Sequence, residues 1–195
     1  MLNKWIRMLR EPDGFFAGLD GEGLREPFLF LVAVCTIIAV FTPVAHLIGW
    51  PSTDLSASLQ AQILAWRTTE VYLLPRLGGW AYLVEVPLIL AFALILTPIM
   101  SVFVHVLYRL AGGRGGLIQA WKAICYGVGP CVLLGWVPYW SMLVACWSLV
   151  IQFYYAPKTL YGVREGRALM ILALIVGATL LELATSGTTV GLGIE

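Results

Sequence analysis

Three ionisable side chains, His46, Glu85 and Glu182, interrupt long apolar stretches of this chain. Two carboxylates beside an imidazole could hold a proton or a cation, with the carboxylates as ligands and His46 titrating. Ionisable groups within lipid are costly and by default mark a functional position. The plainer expectation is that each stands at headgroup level and reaches water by itself. His105, one turn before Arg109, reads more simply as an interface residue. No HExxH, no nucleophile elbow and no paired intramembrane aspartates accompany these groups. No catalytic residue is therefore assigned, and the chain is expected not to be an enzyme. Cofactor and metal sites are not expected either. Cys35, Cys125, Cys131 and Cys146 lie in apolar runs without CxxC spacing, and they read as buried thiols acting as small hydrophobes. The run Gly112-Gly113-Arg114-Gly115-Gly116 lacks the following Lys-Ser or Lys-Thr of a phosphate-cradling loop. It reads as a hinge or a lipid-facing turn.

The elements that must position these groups follow from charge and length. Hydrophobic residues make up 60% of the chain and charged ones 12%, against ~25% charged in soluble domains. The expected setting is a bilayer. Twelve Lys and Arg against eleven Asp and Glu lack the basic excess of a nucleic-acid binder. Between Lys122 and Lys158 there is no ionisable Asp, Glu, Lys, Arg or His. As one straight helix this stretch would run to about 52 Å, too long for a hydrocarbon core of ~30 Å. Folded at Val137-Pro138-Tyr139-Trp140 it becomes a hairpin of two short spans that turn at one membrane face. The expected fold is an all-α polytopic membrane protein with helices over 28–49, 81–108, 118–137, 139–156 and 168–185. Residues 50–80 form an outer loop. An open sheet could not satisfy its backbone in lipid. Pro87 and Pro98 predict a kink or tilt in the second span. With the amino terminus cytoplasmic, that side holds Lys4, Arg7, Arg10, Arg25, Arg109, Arg114, Lys122, Lys158, Arg164 and Arg167, and the other holds Arg67 and Arg76. This bias predicts the amino end inside and the carboxyl end outside. The amino terminus is expected to be retained, because Glu11-Pro12-Asp13 and not an apolar run follows its basic residues.

Residues 1–26 read as a cytoplasmic amphipathic segment ahead of a membrane domain at 27–195. Leu2, Trp5, Ile6 and Leu9 repeat at helical spacing while Lys4, Arg7 and Arg10 point elsewhere. Such a helix can lie on an anionic inner leaflet. In the outer loop Ser52-Thr53-Asp54 offers caps, and Leu55, Leu59, Ile63 and Trp66 then line one face. Ala123, Gly127, Cys131 and Gly135 recur every fourth residue on the third span. Ser141, Ala145, Ser148 and Gln152 form a matching stripe on the fourth. Small residues let helix backbones approach in lipid, so packing within the hairpin is the main expectation, with a dimer seam or a lined pathway as alternatives. Gly129 and Pro130 break the third span and free carbonyls, which in transporters bind ions. Pro138 breaks the hairpin at its tip.

Pro12-Asp13-Gly14-Phe15-Phe16 with Leu19, then Glu26-Pro27, resembles the amino-terminal part of prokaryotic Yip1-domain membrane proteins. The Gly-rich turn with Ala123, Tyr126 and Pro130, then Trp136-Val137-Pro138, resembles their middle. Gly166-Arg167-Ala168-Leu169 resembles the start of their last span. The resemblance covers nearly the whole chain and implies five spans with a cytoplasmic amino terminus. Eukaryotic relatives act in membrane traffic between the endoplasmic reticulum and Golgi, associate with Rab-type GTPases and with one another, and are linked to membrane shaping. The Asp-Leu-Tyr-Gly-Pro motif seen there is missing here, so the resemblance carries over neither GTPase binding nor any catalytic residue. The function it implies is membrane organisation or shaping, or protein scaffolding, in a cell membrane. The expected partners are the bilayer and, by self-association or scaffolding, other membrane proteins. The alternative is a small proton, cation or solute transporter or channel using His46, Glu85 and Glu182.

Overall fold

Every regular element among the described residues is a helix, in keeping with the all-α expectation. The structure, a computed structural model, describes residues 2–47, 72–134 and 140–191. Helix α1 covers Leu2–Arg10 and α2 Pro12–Ala17. They lead into α3, Arg25–Leu47. After the short α4, Leu74–Leu77, and a 3-10 turn at Gly78–Trp80 comes the longest helix, α5, Ala81–Leu110. Helices α6, Leu117–Gly127, and α7, Cys131–Leu134, flank a turn. Helix α8, Trp140–Val150, continues through a π-helical segment at Ile151–Tyr155 into α9, Ala156–Tyr161. Helix α10, Glu165–Gly191, ends the described chain.

Two stretches, Arg25–Val44 and Leu74–Leu110, are by length and composition long and apolar enough to cross a bilayer. On α5 the usual pattern is turned inside out. Glu85, Thr97 and Ser101 are buried, while Leu83, Ile95, Ile99, Phe103 and Val106 are at least half exposed. Water would make such a surface unfavourable, whereas lipid would cover it. The buried hydroxyls are satisfied along the helix itself, Thr97 Oγ1 donating to Ala93 O at 2.7 Å and Ser101 Oγ to Thr97 O at 2.8 Å. Pro87 and Pro98 sit within α5 without ending it.

The helices overrun the expected spans. Helix α10 begins three residues earlier than 168 and runs beyond 185 to Gly191. The fourth helical run passes 156 and stops at Tyr161, where Gly162 adopts φ +63° and closes the helix in the left-handed conformation. Its π segment has a local cause. Pro157 has no N–H for the carbonyl one turn back, and the Tyr108 hydroxyl takes the Gln152 carbonyl. The third expected span is not one helix: Val128-Gly129-Pro130 separates α6 from α7. The outer-loop helix expected over Leu55 to Trp66, the tip at Val137–Tyr139 with Pro138, and Gly135 lie outside the described residues. Gly127 nevertheless meets Ser148 and Gln152.

Candidate functional site

Glu85 stands on α5 with no exposed surface. His46 and Glu182 lie on α3 and α10, but their side chains are outside what the structure describes. Helices α3 and α5 pack against each other, and the backbone gives the depth of each position. Arg25 and Arg109 stand at the end where the amino-terminal segment docks. From there His46 is about 32 Å along α3 and Glu85 about 36 Å along α5 at helical rise. Glu182 is about 22 Å along α10 from Arg167, well inside a helix that continues to Gly191.

The small-residue stripes are brought together in part. Ala123 and Gly127 are buried, and a methyl group added at Gly127 would run into Gln152 Cγ and stand 2.7 Å from its Cδ. Ser148 is buried, its hydroxyl donates to Gly127 O, and Gln152 Nε2 donates to Ser148 Oγ at 3.1 Å. Cys131 is half-buried. Ala145 is exposed and so does not belong to this seam, and Cys146 is exposed although the apolar context predicts a buried thiol. The side chain of Ser141 lies outside the description. The broken helix does not present free carbonyls. Gly129 O accepts the Trp5 indole Nε1–H at 2.8 Å, Tyr126 O accepts the Gly129 N–H at 2.8 Å, and Gly127 O is held by Ser148.

The densest polar structure lies where the amino-terminal segment meets the bundle. Met8, Phe15, Phe16 and Leu19 are buried in the main core, so α1 turns Met8 and Trp5 into protein. Phe15 and Phe30 each pack 5.0 Å from the Tyr126 ring, one from α2 and one from α3. Around this plug the charges pair. Glu22 binds Lys4 and accepts the Tyr126 hydroxyl at 2.7 Å. Lys122, itself buried, donates to Leu19 O at 2.8 Å. Asp13 accepts from Lys158 at 2.8 Å and from Thr159 at 3.1 Å. The hydrogen bond to Asp13, before the carboxylate's charge, raises the Lys158 ammonium above its ordinary value.

The Gly-rich turn, expected as a hinge or a lipid-facing turn, is packed on its inner side. It wraps one side chain. A Cβ at Gly113 would come 2.8 Å from Tyr161 Cβ, and one at Gly115 2.7 Å from Tyr161 Cγ. The Tyr161 hydroxyl donates to Gly116 O at 2.6 Å and accepts from His105 Nδ1 at 2.7 Å. His105 thus faces protein and holds the aromatic that closes the turn. These ties to Tyr161, Tyr108 and Trp5 were not read from sequence. Four glycines in five positions did carry a signal, since so much missing bulk needs a large neighbour.

The Yip1 domain family matches residues 6–185. This chain belongs to the Yip1 family. The match runs from within α1 to within α10 and so takes in α2 and part of α1. No curated protein and no solved structure matches the chain.

Proposed function

We propose that this Yip1 protein is a non-enzymatic integral membrane protein of the cell membrane that organises or shapes the bilayer, or scaffolds other membrane proteins. It crosses five times, with its amino end cytoplasmic and its carboxyl end outside. The observation that carries this reading is the one-ended construction of the molecule. The strap 2–24, the broken α6–α7 unit and the Tyr161 lock all gather at the basic end of long, lipid-length helices. Extra protein volume at one leaflet, beside a hairpin of short arms, favours local thinning or bending. Reconstitution into liposomes at increasing protein density tests it: vesicle radius and lipid order are expected to fall with density. Vesicles unchanged at high density would remove the shaping reading and leave scaffolding, read by crosslinked copies or partners.

Complete burial of Glu85 in an apolar helix favours a second reading, transport of a proton or cation past His46, Glu85 and Glu182. The capped carbonyls of the broken helix weigh against it. Proton or cation flux into proteoliposomes that vanishes in Glu85→Gln or Glu182→Gln would establish transport. Flat traces across pH and ion type would end it.

A further inference from the structure

Four arginines converge on the Gly-rich turn from three parts of the chain. Arg109 ends α5, Arg114 lies in the turn, and Arg164 and Arg167 stand at the start of α10. Two contacts hold these parts together: Arg114 N–H donates to Tyr161 O at 2.9 Å, and Arg167 Nη1 donates to Ala111 O at 3.0 Å. All four side chains are exposed. Among the described residues no carboxylate lies within ion-pair distance of any of them. Glu165, the acid within this group, accepts the Tyr154 hydroxyl at 2.6 Å. Elsewhere at this end Lys4 pairs with Glu22 and Lys158 with Asp13, while Arg7 and Lys122 are tied to the backbone carbonyls of Gly14 and Leu19. The turn is where four exposed arginines from separate parts of the chain stand together.

Apolar side chains border the same cluster. Leu110 beside Arg109 is 80% exposed, and Leu117 and Leu169 are each about half exposed. A soluble anion would satisfy the guanidiniums and leave these side chains bare. An amphiphile covers both.

We propose that the turn 111–116 with Arg109, Arg114, Arg164 and Arg167 is a binding site for the phosphate headgroup of an anionic phospholipid, whose acyl chains cover Leu110, Leu117 and Leu169. The inference rests on the membrane reading above. Basic pockets between helix ends at the cytoplasmic face suit such headgroups, and planar guanidinium forks match phosphate oxygens.

The test uses the full chain in neutral detergent micelles, with native mass spectrometry counting retained phosphatidylglycerol against phosphatidylcholine of matched acyl chains. A preference of roughly tenfold or more for phosphatidylglycerol is expected. The triple variant Arg109→Gln, Arg114→Gln, Arg164→Gln should lose it, while Arg76→Gln, at the other end of α5, should keep it. Arg167 is left in place because it ties the turn to α10. Equal retention of the two lipids by the native chain, or an unchanged preference in the triple variant, would overturn the site. Displacement of phosphatidylglycerol by inorganic phosphate or by polyglutamate at constant ionic strength would also overturn it, in favour of a soluble anion or an acidic protein. If the triple variant is not monodisperse, a salt titration of the native chain decides: the preference should collapse as salt rises, and a salt-independent preference rejects the site. Alkaline carbonate extraction of cell membranes separates the two failures. A chain released by carbonate refutes the membrane reading, whereas a retained chain without lipid preference refutes only this site.

Discussion

Gly127 shows how one missing side chain sets the approach of two helices. Its position leaves room for Gln152, and its carbonyl is held by Ser148. Gly127→Ala should therefore force α6 and the π segment apart, lowering stability by about 1–3 kcal/mol as overpacking typically does. Thermal unfolding in detergent would register the loss. Adding Gln152→Ala, which clears the space, should restore part of it, and a double variant no better than the single one would show that the contact is not the cause. The small-residue stripe was legible because a four-residue repeat survives in any helix. Ala145 escaped that logic: it stands one turn before Ser148 on α8, ahead of the π segment, and is exposed although the repeat counts it on the same stripe.

At the scale of elements the decisive unit is the strap formed by α1, α2 and the turn to Leu24. An amphipathic helix was readable from Leu2, Trp5, Ile6 and Leu9, but its landing place was not. The residues that receive it stand more than a hundred positions away, Lys122 against Leu19 and Tyr126 against Glu22, and such pairings leave no periodic trace in sequence. Met8→Ala should cost about 2–4 kcal/mol, since Met8 is fully buried against Gly129. Early proteolytic cleavage between residues 18 and 25 should accompany it, and cleavage at the native rate would mean that the strap does not depend on this contact. Asp13→Asn should act more mildly, because Lys158 and Asp13 are partly exposed and water screens the pair. The sign of its pH dependence is fixed by the raised Lys158 value. The stabilisation is complete below the ordinary value of 10.5 and is lost as pH rises through the higher folded one.

For the whole molecule, the contacts that join Asp13 to Lys158, Leu19 to Lys122 and Ala111 to Arg167 collect the basic residues at one end. Arg76 lies beyond the opposite end of α5, about 45 Å away along that helix. In a cysteine-free background, Asn3→Cys should resist a membrane-impermeant maleimide applied to intact cells, while Glu195→Cys should react. Equal labelling of the two would contradict an odd number of crossings. The all-helical class was legible from the charge-free run and from lipid's demand on the backbone. Of the candidate acidic site, Glu85 was legible as an ionisable group in an apolar run, and the structure buries it on α5. What packs around it was not legible, because contacts between separate helices leave no period in the sequence.

The π-helical segment at Ile151–Tyr155 amounts to one surplus residue in an otherwise ordinary helix. That single residue rotates everything after it by about 100° relative to everything before. Upstream, Ser148 addresses α6, and downstream, Lys158 and Tyr161 address Asp13 and the glycine turn. Without the surplus, each set would remain chemically intact yet could not reach its counterpart while the other kept its own. The bulge acts as a phase adjuster, letting one rod serve two differently oriented receptors, and a chain shortened by one residue there would have to choose between them.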